Sequence, residues 1–281
     1  MITIDNLVKR YQDFSLEISM EIPDNKVIGI IGKNGCGKST TIKAILGLLK
    51  PTSGSVRVFG REARALTARD KEKIGVSLSD SMFSTQLSVE DVIVILKAMY
   101  RDFDEVFFRE MCAKLNLPLN KQMKDFSTGM KAKVKVLTAI SHKASLLILD
   151  EPTSGLDVEA RNEIIGTIRE YAAANDCTIL ITSHISTDLE GLCEEFYLFS
   201  GGRILLHETD DSIRDLYGTA QVPFELFDQI DKDRISGYKK EMFGYACVTN
   251  DKDYFAKNYP GIKVQSATID DLIILLGGAE E

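Results

Sequence analysis

Three short runs of the chain are almost wholly apolar: VIGII at residues 27–31, LLIL at 146–149 and TILIT at 178–182. A strand with one wet face alternates apolar and polar side chains, so these unbroken runs predict strands of a parallel sheet covered on both faces. Between the second and third runs lies a helix-period stretch that Asp157 opens as an N-cap and that continues to about Ala174. Strand, helix, strand predicts a parallel crossover. SVED at residues 88–91 has the form of a capping box and leads into a mostly helical stretch ending near Ser145. YLFSGGRILLHE, residues 197–208, reads as a hairpin turning at Gly201 and Gly202. Regularity fades near Gly218. Beyond it, strand-like FGYACV alternates with helix-like DKDYFAKNY and DDLIILL, which predicts a small α+β appendage, and no repeat or low-complexity segment interrupts the chain.

Composition narrows this picture. At roughly 100 to 200 residues per domain, 281 residues suggest two domains, each able to bury a core. Hydrophobic residues make up 44% and charged residues 27%, and no run approaches the ~18 apolar residues that a membrane span needs. The start, MITIDNLVKRY, has no basic end followed by an apolar block, so a cytoplasmic location is expected. A net charge of -8 argues against broad binding to nucleic acid, and no nucleic-acid partner is expected. Cys36, Cys112, Cys177, Cys193 and Cys247 have no metal-ligand spacing, which predicts free thiols, no disulfide and no structural metal.

The chemistry begins at GKNGCGKST, residues 32–40, which fits G-x-x-x-x-G-K-[ST] between the VIGII strand and the helical-looking TIKAILGLL. Backbone N–H groups from Asn34 through Gly37, including Gly35 and Cys36, would wrap a phosphate at a helix N-terminus. Lys38 would reach the β and γ oxygens of ATP, Ser39 would give its hydroxyl to Mg²⁺, and Thr40 would touch the α-phosphate. LLILDE ends its strand in Asp150 and Glu151, and ligands of parallel sheets sit beyond the carboxyl ends of the strands. Asp150 would hold Mg²⁺ through its water shell, and Glu151 would polarise an attacking water. His184, in ITSH at the end of the third strand, would orient that water and Glu151. A lone histidine or a pair of strand-end acids is ordinarily bland; the phosphate cradle upstream gives them a shared target.

GKNGCGKST, FSTGM, LLILDE, SGLD and ITSH, in this order, resemble the ATP-binding subunit of an ABC transporter over about residues 1–215. The resemblance implies an α/β fold: a P-loop NTPase cassette at 1–218, with a parallel sheet core, an antiparallel β part and a helical subdomain at about 86–145. A small C-terminal α+β domain at 219–281 would follow. It implies that FSTGM is a variant signature motif whose Ser127, Thr128 and Gly129 hold the nucleotide of a second cassette in a head-to-tail homodimer or heterodimer. Without it, Ser127 reads as a plain N-cap. Asp157 matches the D-loop at that dimer contact, and Tyr11 matches an aromatic that stacks on adenine. Ser79 stands where the family has a glutamine that meets Mg²⁺ and water and joins the site to the membrane subunit; Gln86 lies too far along to replace it. Ser79, or Asp80, is therefore expected to contact the metal through water, with slow or partner-dependent hydrolysis.

The implied function is ATP hydrolysis driving a membrane exporter of drugs, antimicrobial peptides or peptide toxins, with the chain peripheral on the inner face of the membrane through separate permease subunits. Two other readings compete. One is an ATPase acting on ribosomes or DNA, which tends to carry two cassettes or a long coiled-coil insertion; the other is a regulatory module without turnover, against which Glu151 and His184 argue.

Overall fold

The computed structural model describes residues 1–80 and 83–277. Its first strands, β1 (Ile2–Arg10) and β2 (Ser15–Ile22), pair antiparallel. SLEISMEI alternates strictly, so Leu16, Ile18, Met20 and Ile22 are buried while Glu17, Ser19 and Glu21 stay in water. Then β3 (Val27–Ile31) runs through the glycine loop into α1 (Lys38–Ile45). With β4 (Ser53–Val58) and β5 (Arg61–Glu62) the antiparallel sheet is complete, in the order β2-β1-β4-β5. A capping box of Thr67 and Asp70 opens α2 (Ala68–Lys71), and β6 (Ile74–Ser77) follows.

The helical stretch divides into α3 (Val89–Met99), α4 (Glu105–Lys114) and α5 (Thr128–Ile140), each started by a side-chain cap, from Ser88, Asp104 and Ser127. The crossover is β7 (Leu146–Asp150), α6 (Val158–Ala174) and β8 (Thr178–Ser183), and the hairpin is β9 (Glu195–Ser200) with β10 (Arg203–Thr209). These strands form a six-stranded sheet in the order β10-β9-β3-β8-β7-β6, parallel except for β10. Every residue of β7 and β8 is buried. Leu147 and Leu149 face a core shared with α3, α4, α5 and α6; Leu146 and Ile148 face the core shared with α1 and the antiparallel sheet. Register pairs Ile31 with Ser183, Asp150 with Thr182 and Ser77 with Leu149. The glycine loop, residues 78–80, Glu151 and His184 therefore all leave from one edge of the sheet.

After α7 (Asp210–Leu216) come β11 (Gly218–Val222), α8 (Phe224–Phe227), β12 (Ile235–Glu241), β13 (Gly244–Thr249), α9 (Lys252–Asn258), β14 (Val264–Ser266) and α10 (Ile269–Leu276). Their antiparallel sheet, β12-β13-β11-β14, has a small core of its own around Phe227, Cys247 and Phe255. Ala246, Val248, Leu272 and Leu275 belong instead to the main core, with Leu192 and Phe196.

Two details differ from the sequence pattern. The helix after the glycine loop stops at Ile45, because Gly47 takes φ 68° and lets the Gly47 and Leu48 N–H groups turn back to the Ala44 and Lys43 carbonyls at 3.0 and 2.9 Å. Near Gly218 the chain is regular: α7 ends at Leu216 and β11 begins at Gly218, so a 3.6 period meets a 2 period with no linker to mark the change. All five cysteines are buried free thiols. Among the described residues no helix is long and apolar enough to cross a membrane.

Candidate active site

Gly35 and Gly37 take φ 82° and 116°, which turns the loop between β3 and α1 inward. Gly37 occupies the N-cap of α1 and supplies no side-chain cap, so the first N–H groups of that helix stay available to an anion. Asn34, Gly35, Gly37, Lys38, Ser39 and Thr40 line one cavity together with Ser79 and Glu151. Cys36 does not line it. Its side chain is buried under the loop, where burial pushes the thiol above its ordinary pKa with Lys38 opposing in part, so it stays protonated.

Lys38 is only 5% exposed, and its Nζ donates to the carbonyls of Gly32 (2.6 Å) and Lys33 (3.3 Å). Glu151 Oε1 lies 3.0 Å from the same ammonium without the angles of a hydrogen bond, so that pairing is electrostatic rather than directed. The other carboxylate oxygen of Glu151, Oε2, is bonded to His184 Nδ1. Glu151 itself holds φ 50°, a left-handed conformation that costs a non-glycine residue roughly 1–3 kcal/mol. Its N–H donates to Thr182 Oγ1 (3.0 Å) and to the Thr182 carbonyl (3.2 Å), which hold it there.

Asp150 is 3% exposed and accepts from three hydroxyls: Thr182 Oγ1 at 2.8 Å, Ser79 Oγ at 2.9 Å and Ser39 Oγ at 3.3 Å. Ser79 thus reaches the carboxylate directly. A magnesium ion shared with substrate phosphates asks for one or two protein oxygens rather than a protein cage, and the pair of Ser39 and Asp150 fits that demand. The described residues hold no cluster of three or more His, Cys, Asp or Glu that would suit a metal independent of phosphate.

The turn after Glu151 and the turn after His184 are tied together by a buried contact. Thr153 Oγ1 donates to Asp188 Oδ2 at 2.6 Å, and Arg161 Nε lies 3.6 Å from Asp188 Oδ1. Thr182, Asp188 and Phe14, which lines the cradle cavity, were not selected from the sequence. Phe14 shares the short YQDF loop with Tyr11, and that second aromatic was the available signal. Tyr11 is 50% exposed and does not line the cavity.

Ser127 Oγ accepts from the Met130 N–H at 3.2 Å, the N-cap that the sequence predicts. Ser127 and Thr128 are exposed, and neither Ser127 nor Gly129 lines this chain's own cradle cavity. A Cβ at Gly129 would lie 2.9 Å from Ala160 Cβ, so glycine lets the start of α5 approach α6. Asp157 caps α6 through the Ala160 N–H at 2.8 Å and is exposed. Lys135, farther along α5, donates to the Leu78 and Ser79 carbonyls at 2.8 and 3.2 Å, and burial lowers its ammonium below the ordinary lysine pKa.

A family model described as ABC transporter matches residues 16–154. The lantibiotic transport ATP-binding protein SrtF of Streptococcus pyogenes is 34% identical over 220 residues, covering 77% of this chain and 94% of the relative. The linearmycin resistance ATP-binding protein LnrL of Bacillus subtilis (strain 168) is 31% identical over 212 residues, covering 73% and 68%. A solved structure of an ATP-binding subunit of an ABC transporter superposes with a TM-score of 0.67 at 26% identity, covering 76% of this chain and 92% of that one. With a relative matched over nearly its whole length and the phosphate loop, acids and histidine converging at one sheet edge, the chain belongs to the ATP-binding subunits of ABC transporters, a family of ATPases.

Proposed function

We propose that this chain is the motor subunit of an exporter, pairing head to tail with a second cassette and docking on separate permease subunits at the inner face of the membrane. The observation that carries the reading is the convergence of Lys38, Asp150, Glu151 and His184 where β3, β7 and β8 end. In it, the free N–H groups at the start of α1 and in the glycine loop bind the phosphates of ATP. Lys38 leaves its own loop carbonyls for the β and γ oxygens, which frees Glu151. Glu151 then takes a proton from the attacking water, and His184 holds its other oxygen in line. Mg²⁺, held by the Ser39 hydroxyl and through water by Asp150, would supply charge neutralisation on the phosphates. Ser127, Thr128 and Gly129 serve the partner's nucleotide, for which the exposed Ser127 and Thr128 at the start of a 13-residue helix are suited. Tyr11 is assigned to adenine and Asp157 to the dimer contact, and residues 1–218 form the cassette with residues 219–281 as an accessory domain. The contact between His184 and Glu151 favours hydrolysis over a purely regulatory module. Export of antimicrobial compounds is favoured by what SrtF and LnrL are named for.

The test is light scattering of Glu151→Gln with and without Mg-ATP, beside phosphate release. Removing a general base slows turnover about 10²- to 10⁴-fold. The variant is expected to bind ATP, lose turnover by that factor and shift from monomer to dimer with ATP, and Ser127→Arg in the same background to stay monomeric. Undiminished turnover in Glu151→Gln would remove that residue from the mechanism, and an ATP-induced dimer that survives Ser127→Arg would sink the head-to-tail site.

A further inference from the structure

We propose that Lys135 is a positioning residue for hydrolysis, linking helix α5 to Asp150 through the loop that leaves β6. The inference rests on the assignment of Asp150 and Glu151 to the hydrolytic site. Lys135 Nζ donates to two successive carbonyls of that loop, Leu78 O at 2.8 Å and Ser79 O at 3.2 Å. The side chain of the same Ser79 donates to Asp150 Oδ2 at 2.9 Å. From α1, the helix that starts at Lys38, Lys43 Nζ holds the next residue, Asp80, at 3.0 Å. Residues 78–80 are therefore clamped between two ammonium groups on two different helices.

A serine hydroxyl stands one bond beyond Cβ and has little reach, so Ser79 meets Asp150 only while its backbone is held at the right height. A lysine ammonium offers three donors and no acceptor, and two donations onto adjacent carbonyls fix that height. The position is costly for a cation, since Lys135 is half-buried in the cavity that Thr128, Ser79 and Asp150 also line, and the neighbouring α5 residues Val134 and Val136 are apolar. An apolar side chain there would pack without that cost and would release the loop. Helix α5 also begins with Ser127 and Thr128, so a shift of this helix moves the signature turn and, through Lys135, moves Ser79 relative to Asp150. The clamp gives the site a direct reading of where α5 stands.

The experiment compares ATP turnover and fluorescent ATP-analogue binding for the full chain, Lys135→Met, Ser79→Ala, their double variant, Lys135→Arg and Glu151→Gln. A small misplacement of a catalytic group costs up to about 10²-fold, so Lys135→Met is expected to lower kcat roughly 10-fold or more with KM for ATP within about twofold. Because Lys135 acts through Ser79, the double variant should fall no further than the worse single variant, and Lys135→Arg should recover much of the rate. Multiplying losses in the double variant, an unchanged kcat in Lys135→Met, or a raised KM at full kcat would each overturn the proposal. Should Lys135→Met not fold, Lys135→Ala, alone and combined with Ser79→Ala, carries the same test. Glu151→Gln keeping full turnover would overturn the site assignment itself, whereas its loss beside an intact Lys135→Met overturns only the clamp.

Discussion

His142 takes no part in the chemistry, yet it is a titratable ring that is only 3% exposed. It stacks on Tyr100 with centroids 3.9 Å apart and lies with Nδ1 3.3 Å from the Thr138 carbonyl. Burial lowers its pKa below the ordinary imidazole value of 6.5, with backbone hydrogen bonds opposing. The sign follows from which state binds the proton first. Above about pH 6.5 the ring is neutral in both states and costs nothing; as pH falls below that value the unfolded chain is protonated while the folded one resists, so stability is lost. His142→Phe keeps the stacking and removes the titration. It should show a smaller drop in Tm between about pH 7.5 and about pH 5.5 than the unmodified chain, and equal drops would refute the account. At this scale the sequence is most legible where chemistry is local. Lys38, Ser39, Asp150 and Glu151 lie within two contiguous motifs whose spacing alone suggests their roles. Thr182 and Lys135 escape notice because one meets Asp150 through parallel register and the other reaches its loop across 56 residues of sequence.

Elements place these residues, and the contact among Thr153, Asp188 and Arg161 shows how. Asp188 is 5% exposed and serves both the turn that follows β7 and the first turns of α6, while itself following β8. Asp188→Ala would leave the buried Thr153 hydroxyl without its acceptor and the Arg161 guanidinium without its neighbouring negative charge, a loss of about 1–3 kcal/mol. Urea unfolding of Asp188→Ala, Arg161→Ala and the double variant measures it, and the two effects should not add because they break one contact. Since the contact holds the turns carrying Glu151 and His184 together, kcat should fall with stability; full turnover in a destabilised Asp188→Ala would limit it to a structural role. Strands β3, β7 and β8 are plain in the sequence because burial on both faces leaves mostly apolar residues, and α3 and α6 because Ser88 and Asp157 cap them. The end of α1 is less plain, since the apolar run continues through Leu48 and Leu49 past Gly47, the left-handed residue that closes the helix.

Beyond Gly218, β13 and α10 share the main core of the preceding residues. Leu272 and Leu275 of α10 and Val248 of β13 are buried in the cluster that contains Leu189, Leu192 and Phe196. Fully burying such side chains is worth about 1.5–3 kcal/mol each as an upper estimate. Three of them approach the ~5–15 kcal/mol that holds an entire domain folded. A chain cut after Gly218 would therefore lose stability and also bare the apolar surface of β9 that α10 packs against. The full chain should unfold in one transition, and the truncated chain at a lower Tm, with increased binding of an apolar dye and a tendency to aggregate on warming. Calorimetry and dye fluorescence on the two chains decide this. Two separate transitions in the full chain, or a truncated chain that is monodisperse with an unchanged Tm, would mean that residues 219–281 fold apart from the cassette and that the shared cluster contributes little. In the expected case a shift at the end of the chain reaches the sheet through α10 and β9, so substitutions at Leu272 or Leu275 should change ATP turnover although both lie outside the cradle.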